Sequence, residues 1–194
     1  MGLLTLEKLG VIPVGRIRLA RLLITLILFF QFLHLSAAQT PAILEYRVKA
    51  TFLFQFTQFV DWPYEAFSTG QTPLVIGILG EDPFGTFLNE LVQDERANGH
   101  PLIIERYRNL EDVKNCHVLF VTRSEATRTE AILAAFKGRS VLVVGDVNGF
   151  ADRGGMIQFV TQANRIQLRI NLAAARAANL TISSKILRSA TVIN

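Results

Sequence analysis

Residues 117–144, HVLFVTRSEATRTEAILAAFKGRSVLVV, place two short apolar runs on either side of a helical segment. The runs His117–Thr122 and Ser140–Val144 are continuous rather than alternating, which is the pattern of strands covered on both faces. Between them Ser124 is positioned to cap a helix over Glu125–Phe136, and Gly138 to stop it. Strand, helix, strand at this spacing is a right-handed parallel crossover. The same alternation runs upstream. Pro73–Leu79 (PLVIGIL) reads as a strand, Pro83–Gln93 as a short helix opened by proline, and Leu102–Arg106 as a second strand; a short turn of helix follows near Leu110–Lys114. The expected fold class is therefore α/β: a single domain with a mostly parallel sheet and helices on both faces.

The last quarter changes character. Gly154–Val160 and Arg165–Ile170 alternate apolar and polar residues around a turn at Thr161–Asn164. This predicts an antiparallel C-terminal hairpin with one exposed face, added to the edge of the sheet. Asn171–Ala178 and Ser183–Ala190 read as two short helical pieces. Long linkers, internal repeats and low-complexity tracts are absent from the sequence.

Ahead of the strands stands Ala42–Asp61, AILEYRVKATFLFQFTQFVD, closed by Trp62-Pro63. At about 100° per residue, Arg47, Thr51, Gln55 and Gln58 fall on one narrow polar stripe. Val48, Ala50, Phe52, Leu53, Phe54, Phe56, Phe59 and Val60 cover the rest. Such a helix cannot stand alone in water; it is the main core helix of its own domain, with contact to a partner as an addition. Pro63 disfavours helical backbone at Trp62, so the helix ends there.

Residues 1–38 read as an export signal. Arg16, Arg18 and Arg21 form a long basic n-region, Leu22–Leu35 (LLITLILFFQFLHL) the apolar h-region, and Ser36-Ala37-Ala38 the small residues of a cleavage site after Ala38. The alternative is an uncleaved N-terminal anchor, but this apolar run is short against the roughly 20 residues of a membrane span. Residues 39–194 then form the exported domain, long enough to bury a core without covalent staples. The chain is formally +4, and Lys8, Arg16, Arg18 and Arg21 against Glu7 put +3 of it in the signal, leaving +1 on the domain. A clustered basic face is missing, which argues against nucleic-acid binding. The single cysteine, Cys116, excludes an internal disulfide and, lying beside an apolar strand, is expected to be buried and inert.

Enzyme chemistry finds no foothold. Gly80-Glu81-Asp82-Pro83-Phe84-Gly85-Thr86 follows a strand and opens a helix, but two carboxylates and a proline would repel phosphate and remove a donor. Neither a G-x-G-x-x-G nor a G-x-S-x-G motif occurs. The exported part holds only His100 and His117, without metal-ligand spacing. Adjacent Cys116 and His117 on a strand point to opposite faces, which is wrong for a thiolate–imidazole pair. No cofactor is expected. Ligands of open α/β sheets settle outside the carboxyl ends of the strands. There Arg123, Ser124 and Asp146 could hold a small zwitterion or other polar metabolite, unless Ser124 and Asp82 merely cap helices.

Arg47–Pro63, RVKATFLFQFTQFVDWP, resembles the opening block of the YfiR-like periplasmic proteins: a Val-Lys-Ala start, an aromatic-rich run and a Phe-Val-x-Trp-Pro ending. The end of the chain is similar too, with Gly154-Gly155-Met156-Ile157, then Ile170–Arg176 carrying an Asn-x-x-x-Ala-Arg turn, then Leu180–Leu187 carrying Ser-Ser-x-x-Leu. The resemblance runs from about Glu45 to Ala190. It implies a periplasmic regulator rather than an enzyme. Such a regulator binds the periplasmic sensor domain of an inner-membrane diguanylate cyclase, or another receptor, represses it and lowers cyclic di-GMP; an outer-membrane lipoprotein sequesters it. Some relatives form disulfides, which this chain cannot. By position and side-chain type, Trp62, Tyr64, Phe67 and Phe150 are the expected partner contacts, with Arg176 nearby. Trp62 and Phe67 could instead plug the end of the first helix, and Arg176 could serve only an ion pair. Phe150, in a loop, is expected at the surface. A homodimer through the first helix or the edge hairpin is a further expectation. The rival reading is a periplasmic small-molecule binding or sensing domain without catalysis.

Overall fold

Helix α1 (Thr40–Phe59) crosses one face of a sheet and leads straight into β1 (Val60–Asp61). The computed structural model describes residues 40–163 and 165–193; the export signal, its cleavage site and Asn164 of the predicted turn lie outside these. After α1 and β1 come β2 (Leu74–Leu79), α2 (Phe87–Val92), β3 (Arg96–Ala97), β4 (His100–Tyr107), β5 (Val118–Val121), α3 (Thr129–Phe136), β6 (Leu142–Gly145), β7 (Ile157–Gln162), β8 (Arg165–Asn171), α4 (Leu172–Ala177), β9 (Thr181–Ile182), α5 (Ser184–Leu187) and β10 (Ala190–Ile193). Residues 43–194 form one compact unit. Among the described residues, no helix is long and apolar enough to cross a membrane.

The eight-stranded sheet has the order β10-β8-β7-β6-β5-β2-β4-β3. Strands β4, β2, β5, β6 and β7 run parallel, and β8 returns antiparallel to β7. The expected α/β architecture with its C-terminal antiparallel pair is present. The chain crosses from β2 to β4 on one side and then to β5 on the other, so the winding reverses between the carboxyl ends of β2 and β5.

Period-two side-chain alternation divides the core between the two faces. Leu74, Ile76 and Ile78 of β2, Val118 and Phe120 of β5, and Leu142 and Val144 of β6 pack under Leu53 and Phe56 of α1, Leu88 of α2 and Ile186 of α5. The intervening Leu79, Leu119, Val121 and Val143 meet Ile132 and Phe136 of α3 on the opposite face. This explains the unbroken apolar runs: β2, β5 and β6 are buried at every position, whereas β8 alternates exposed and covered residues. Phe52, Phe56 and Phe159 pack with ring centroids 5.9–6.2 Å apart, Phe56 stacked on both and Phe52 tilted against Phe159. Fully burying each such ring contributes about 1.5–3 kcal/mol.

Three local expectations are corrected. Val60-Asp61 ends no helix but pairs antiparallel with Ile182-Thr181 of β9, tying the end of α1 to the C-terminal region. The helix piece expected over Ser183–Ala190 stops at Leu187; Ala190–Ile193 forms β10, parallel to β8. Ser124 caps nothing: Arg123–Arg128 is a 3-10 turn and α3 begins only at Thr129. Propensity alone does not distinguish these short pieces, because each is decided by a strand or turn distant in sequence.

Phe150 is also corrected. It is fully buried, not at the surface. Gly145 and Gly155 make room for it, since a Cβ on Gly145 would stand 2.7–2.9 Å from the Phe150 ring. Gly145→Ala should cost about 1–3 kcal/mol in urea unfolding. In a Phe150→Ala background the same change should cost markedly less, because the three atoms nearest the added Cβ all belong to that ring.

Candidate functional site

A buried charge cluster lies at the carboxyl mouth of the sheet. Lys49, on the inner face of α1, is 0% exposed. Its ammonium meets Asp146, just past β6, at 2.6 Å, and Glu45, one turn earlier on α1, at 2.6 Å. Arg123, just past β5, closes the ring from outside, with Nε 3.3 Å from Asp146 Oδ2 and Nη2 3.2 Å from Glu45 Oε1. The Tyr46 hydroxyl donates to Asp146 Oδ2 at 3.0 Å and the Thr161 hydroxyl to Glu45 Oε1 at 2.9 Å. The Lys49 ammonium also stands 4.4 Å from the Tyr46 ring centre. Two acids and two bases make the cluster neutral. Asp146 Oδ1 is buried with no hydrogen-bond partner among the described residues.

The environment perturbs two of these groups. Burial pushes the Glu45 carboxyl up, but hydrogen bonds from Lys49 and Thr161 and the charges of Lys49 and Arg123 outweigh it and hold it below 4.5. Burial, then the Asp146 charge, pushes the Tyr46 phenol up to about 12, so it keeps the proton that it donates to Asp146.

Beside the cluster, at the point where the winding reverses, Gly80, Glu81, Asp82, Arg106, Tyr107, Arg108, Ser124 and Glu125 line an open groove. Ser124 closes its floor: the hydroxyl accepts from Glu81 N at 3.0 Å and shares a hydrogen bond with Thr122 Oγ1 at 2.8 Å. Gly80 has φ +99° and no space for a Cβ, which would fall 2.3 Å from both hydroxyls. Arg106 is committed to Asp82 at 2.7 Å and Asn89 at 2.6 Å. Of the three expected ligand residues, Arg123 and Asp146 meet, and Ser124 turns to the groove floor.

At the opposite end of the sheet, residues 62–73 carry three of the five expected partner residues. Trp62 is half-buried and donates from Nε1 to His117 O at 3.2 Å. Phe67 is half-buried and stacked between His100 and His117. Tyr64, in a single 3-10 turn, is 83% exposed. Arg176 is exposed in α4. Phe150 belongs to the core on the far face. Cys116 is buried and donates to Val118 O at 3.0 Å, and burial pushes its thiol up to about 12. Among the described residues, no group of three or more His, Cys, Asp and Glu side chains is placed to hold a metal ion.

Sequence reasoning missed Lys49, Glu45, Tyr46 and Thr161. A signal was present for the first two. Lys49 lies about 200° from Arg47 on a helical projection, on the apolar side, with Glu45 four residues before it. A cation on the apolar face of a core helix needs a buried carboxylate.

A family model described as YfiR/HmsC-like (DUF4154) matches residues 46–191. No curated protein matches the sequence. Among solved structures, a conserved domain protein from Vibrio cholerae is 17% identical with a TM-score of 0.45, over 62% of this chain and 54% of its own. The ABC domain in complex with L-Trp from Streptococcus pneumonia is 11% identical with a TM-score of 0.46, over 62% of this chain and 55% of its own. The chain thus spans about half the length of these solved structures.

Two outcomes test the cluster. Lys49→Met strands two carboxylates and should cost about 3–5 kcal/mol in urea unfolding; Lys49→Met with Asp146→Leu should recover much of that loss. The second concerns pH. With the Glu45 carboxyl held below 4.5 in the folded chain, the unfolded chain takes that proton first. The contribution of Glu45 is therefore complete above 4.5 and lost as pH falls through the lower folded value. Glu45→Gln should flatten that part of the stability profile.

Proposed function

Because the chain belongs to the YfiR/HmsC-like family, we propose that it is a periplasmic regulator that binds the periplasmic domain of an inner-membrane diguanylate cyclase and holds it inactive. Export through the signal at 1–38 is part of this reading. The observation that supports the contact is Tyr64, 83% exposed on a segment whose neighbours are fastened down. A large aromatic held out on a fixed support loses little conformational freedom on binding, which is what makes tyrosine a common interface anchor. Trp62 and Phe67 support it from beneath, and exposed Arg176 suits the polar rim.

Repression requires the regulator to prefer the inactive form of the cyclase. A complete shift of a two-state receptor takes about 5.5 kcal/mol of differential affinity. An interface of about 1,600 Å² with one or two anchors is sufficient. Sequestration by an outer-membrane lipoprotein would compete for the same regulator. No chemistry is assigned to the protein in this role.

A second reading is favoured by one observation: the groove at the reversal of winding is where open α/β sheets take ligands. Arg123 at its margin and the floor hydroxyl of Ser124 suit a small polar metabolite, with Asp146 holding Arg123 in place. A thermal-shift screen of the purified domain against metabolites tests it; a hit whose shift survives Arg123→Ala would speak against this site.

The repressor reading is tested by cyclic di-GMP levels. Deleting the gene should raise them, and only a copy carrying its signal should lower them again; no change on deletion overturns the reading. Tyr64→Ala should leave unfolding within about 0.5 kcal/mol of the parent. It should nonetheless weaken binding to the receptor's periplasmic domain by about 2 kcal/mol, roughly thirtyfold.

A further inference from the structure

Two imidazoles fasten the segment 62–73 to the amino ends of the strands, and they respond differently to a proton. His117 lies just before β5 and is buried. Its Nδ1 accepts a hydrogen bond from Val75 N at 3.1 Å. Its Nε2 faces Ala66 O at 3.1 Å and so must carry the hydrogen that is donated there. Only one tautomer of the neutral ring makes both bonds. His100, at the start of β4, donates from Nδ1 to Thr72 O at 2.8 Å. Phe67 lies between the two rings, its centroid 3.9 Å from His100 and 4.5 Å from His117, with both stacks 13° from parallel.

A protonated His100 keeps its donor to Thr72 and presents its charge to an aromatic face. A protonated His117 cannot keep its bonds, because Nδ1–H would point at the Val75 N–H, donor against donor. With both rings charged, two cations would also flank Phe67. The titratable groups facing His117 are His100 across Phe67, Glu65 on the turn that supplies Ala66, and Glu105, Lys114, Cys116 and Arg139 around the adjoining groove. None of these hydrogen-bonds to the ring, whose two nitrogens are taken by Val75 and Ala66.

We propose that protonation of His117 unlatches the segment 62–73, so that mild acid frees the loop bearing Trp62, Tyr64 and Phe67 while the sheet stays folded. The direction of its titration agrees: burial, then the neighbouring His100 charge, holds His117 below 6.5 against the opposing bond to Ala66. With the segment released, His117 therefore takes up the proton first, and the latch is complete above 6.5 and lost as pH falls below it. The consequence for receptor binding rests on the reading of Tyr64 as a contact; the unlatching does not.

Trp62 is the chain's single tryptophan and reports the latch directly. Between about pH 8 and pH 5, the emission of the exported chain should move to longer wavelength with a midpoint below 6.5. Amides of residues 64–72 should lose exchange protection over the same range, after correction for intrinsic rates, while β5 and β6 stay protected. His117→Gln keeps a donor for Ala66 without a titrating ring and should abolish the transition; His117→Asn, which keeps an acceptor for Val75, serves if that chain does not fold. His100→Gln leaves His117 and its two bonds in place and should keep the transition. A flat wild-type profile, a transition that survives in His117→Gln, or simultaneous loss of sheet protection overturns the latch. Receptor binding is then measured at both pH values. If emission moves and Tyr64→Ala binds like the parent, the contact reading fails and the latch stands.

Discussion

Lys49 and Asp146 meet at 2.6 Å with neither side chain exposed, and much of the molecule's geometry follows from that pair. An ammonium removed from water costs several kcal/mol unless its charge and its donors are matched. Lys49 is matched by Glu45 on its own helix and by Asp146 on the loop leaving β6. The first partner moves with the helix and constrains nothing; the second exists at one place in the fold. Greasy packing of α1 on the sheet would tolerate sliding or rotation, since many aromatic arrangements have similar energy. A buried ion pair does not. It fixes which turn of α1 stands over the carboxyl mouth of the sheet.

The far end of α1 inherits that register. Twenty residues at about 1.5 Å each carry the helix some 30 Å, the span of a small domain. The helix enters near Thr161 at one end of the strands and leaves near His117 at the other. There α1 gives way to β1, which pairs with β9, and Trp62 bonds to the carbonyl of His117. The Phe-Val-x-Trp-Pro ending thus has a physical meaning at three of its positions. Val60 is buried in the core, Pro63 turns the chain, and Trp62 anchors the departing segment. The outward-facing Tyr64 follows directly.

The two ends of the sheet differ in chemistry. The carboxyl mouth combines a neutralised charge cluster with an open polar groove at the reversal of winding, an arrangement suited to holding something small. The amino end holds an aromatic surface on a segment fastened by imidazoles, an arrangement suited to a protein contact and to control by protons. Because α1 touches both ends, an event at one could be felt at the other through a rigid element.

The α/β class, the alternation of strands with helices and the glycine stop after α3 were legible in the sequence; the order of the strands in the sheet was not. Continuous apolar runs between turn residues can be buried only in the middle of a sheet with helices on both faces. The family was legible too, because its two blocks report helix and turn chemistry that is local in sequence. What tertiary structure alone decided is set by contacts between distant residues. Phe150 looked like a loop aromatic, and only the missing side chains of Gly145 and Gly155 reveal the space that takes it. Ser124 had the chemistry of a cap and was claimed instead by the Glu81 amide. Val60-Asp61 and Ala190–Ile193 became strands because partners were waiting for them. Lys49 was one polar letter in an apolar run. Its meaning needed Asp146, 97 positions away, and a buried charge takes its value from its partner rather than from its neighbours in the chain.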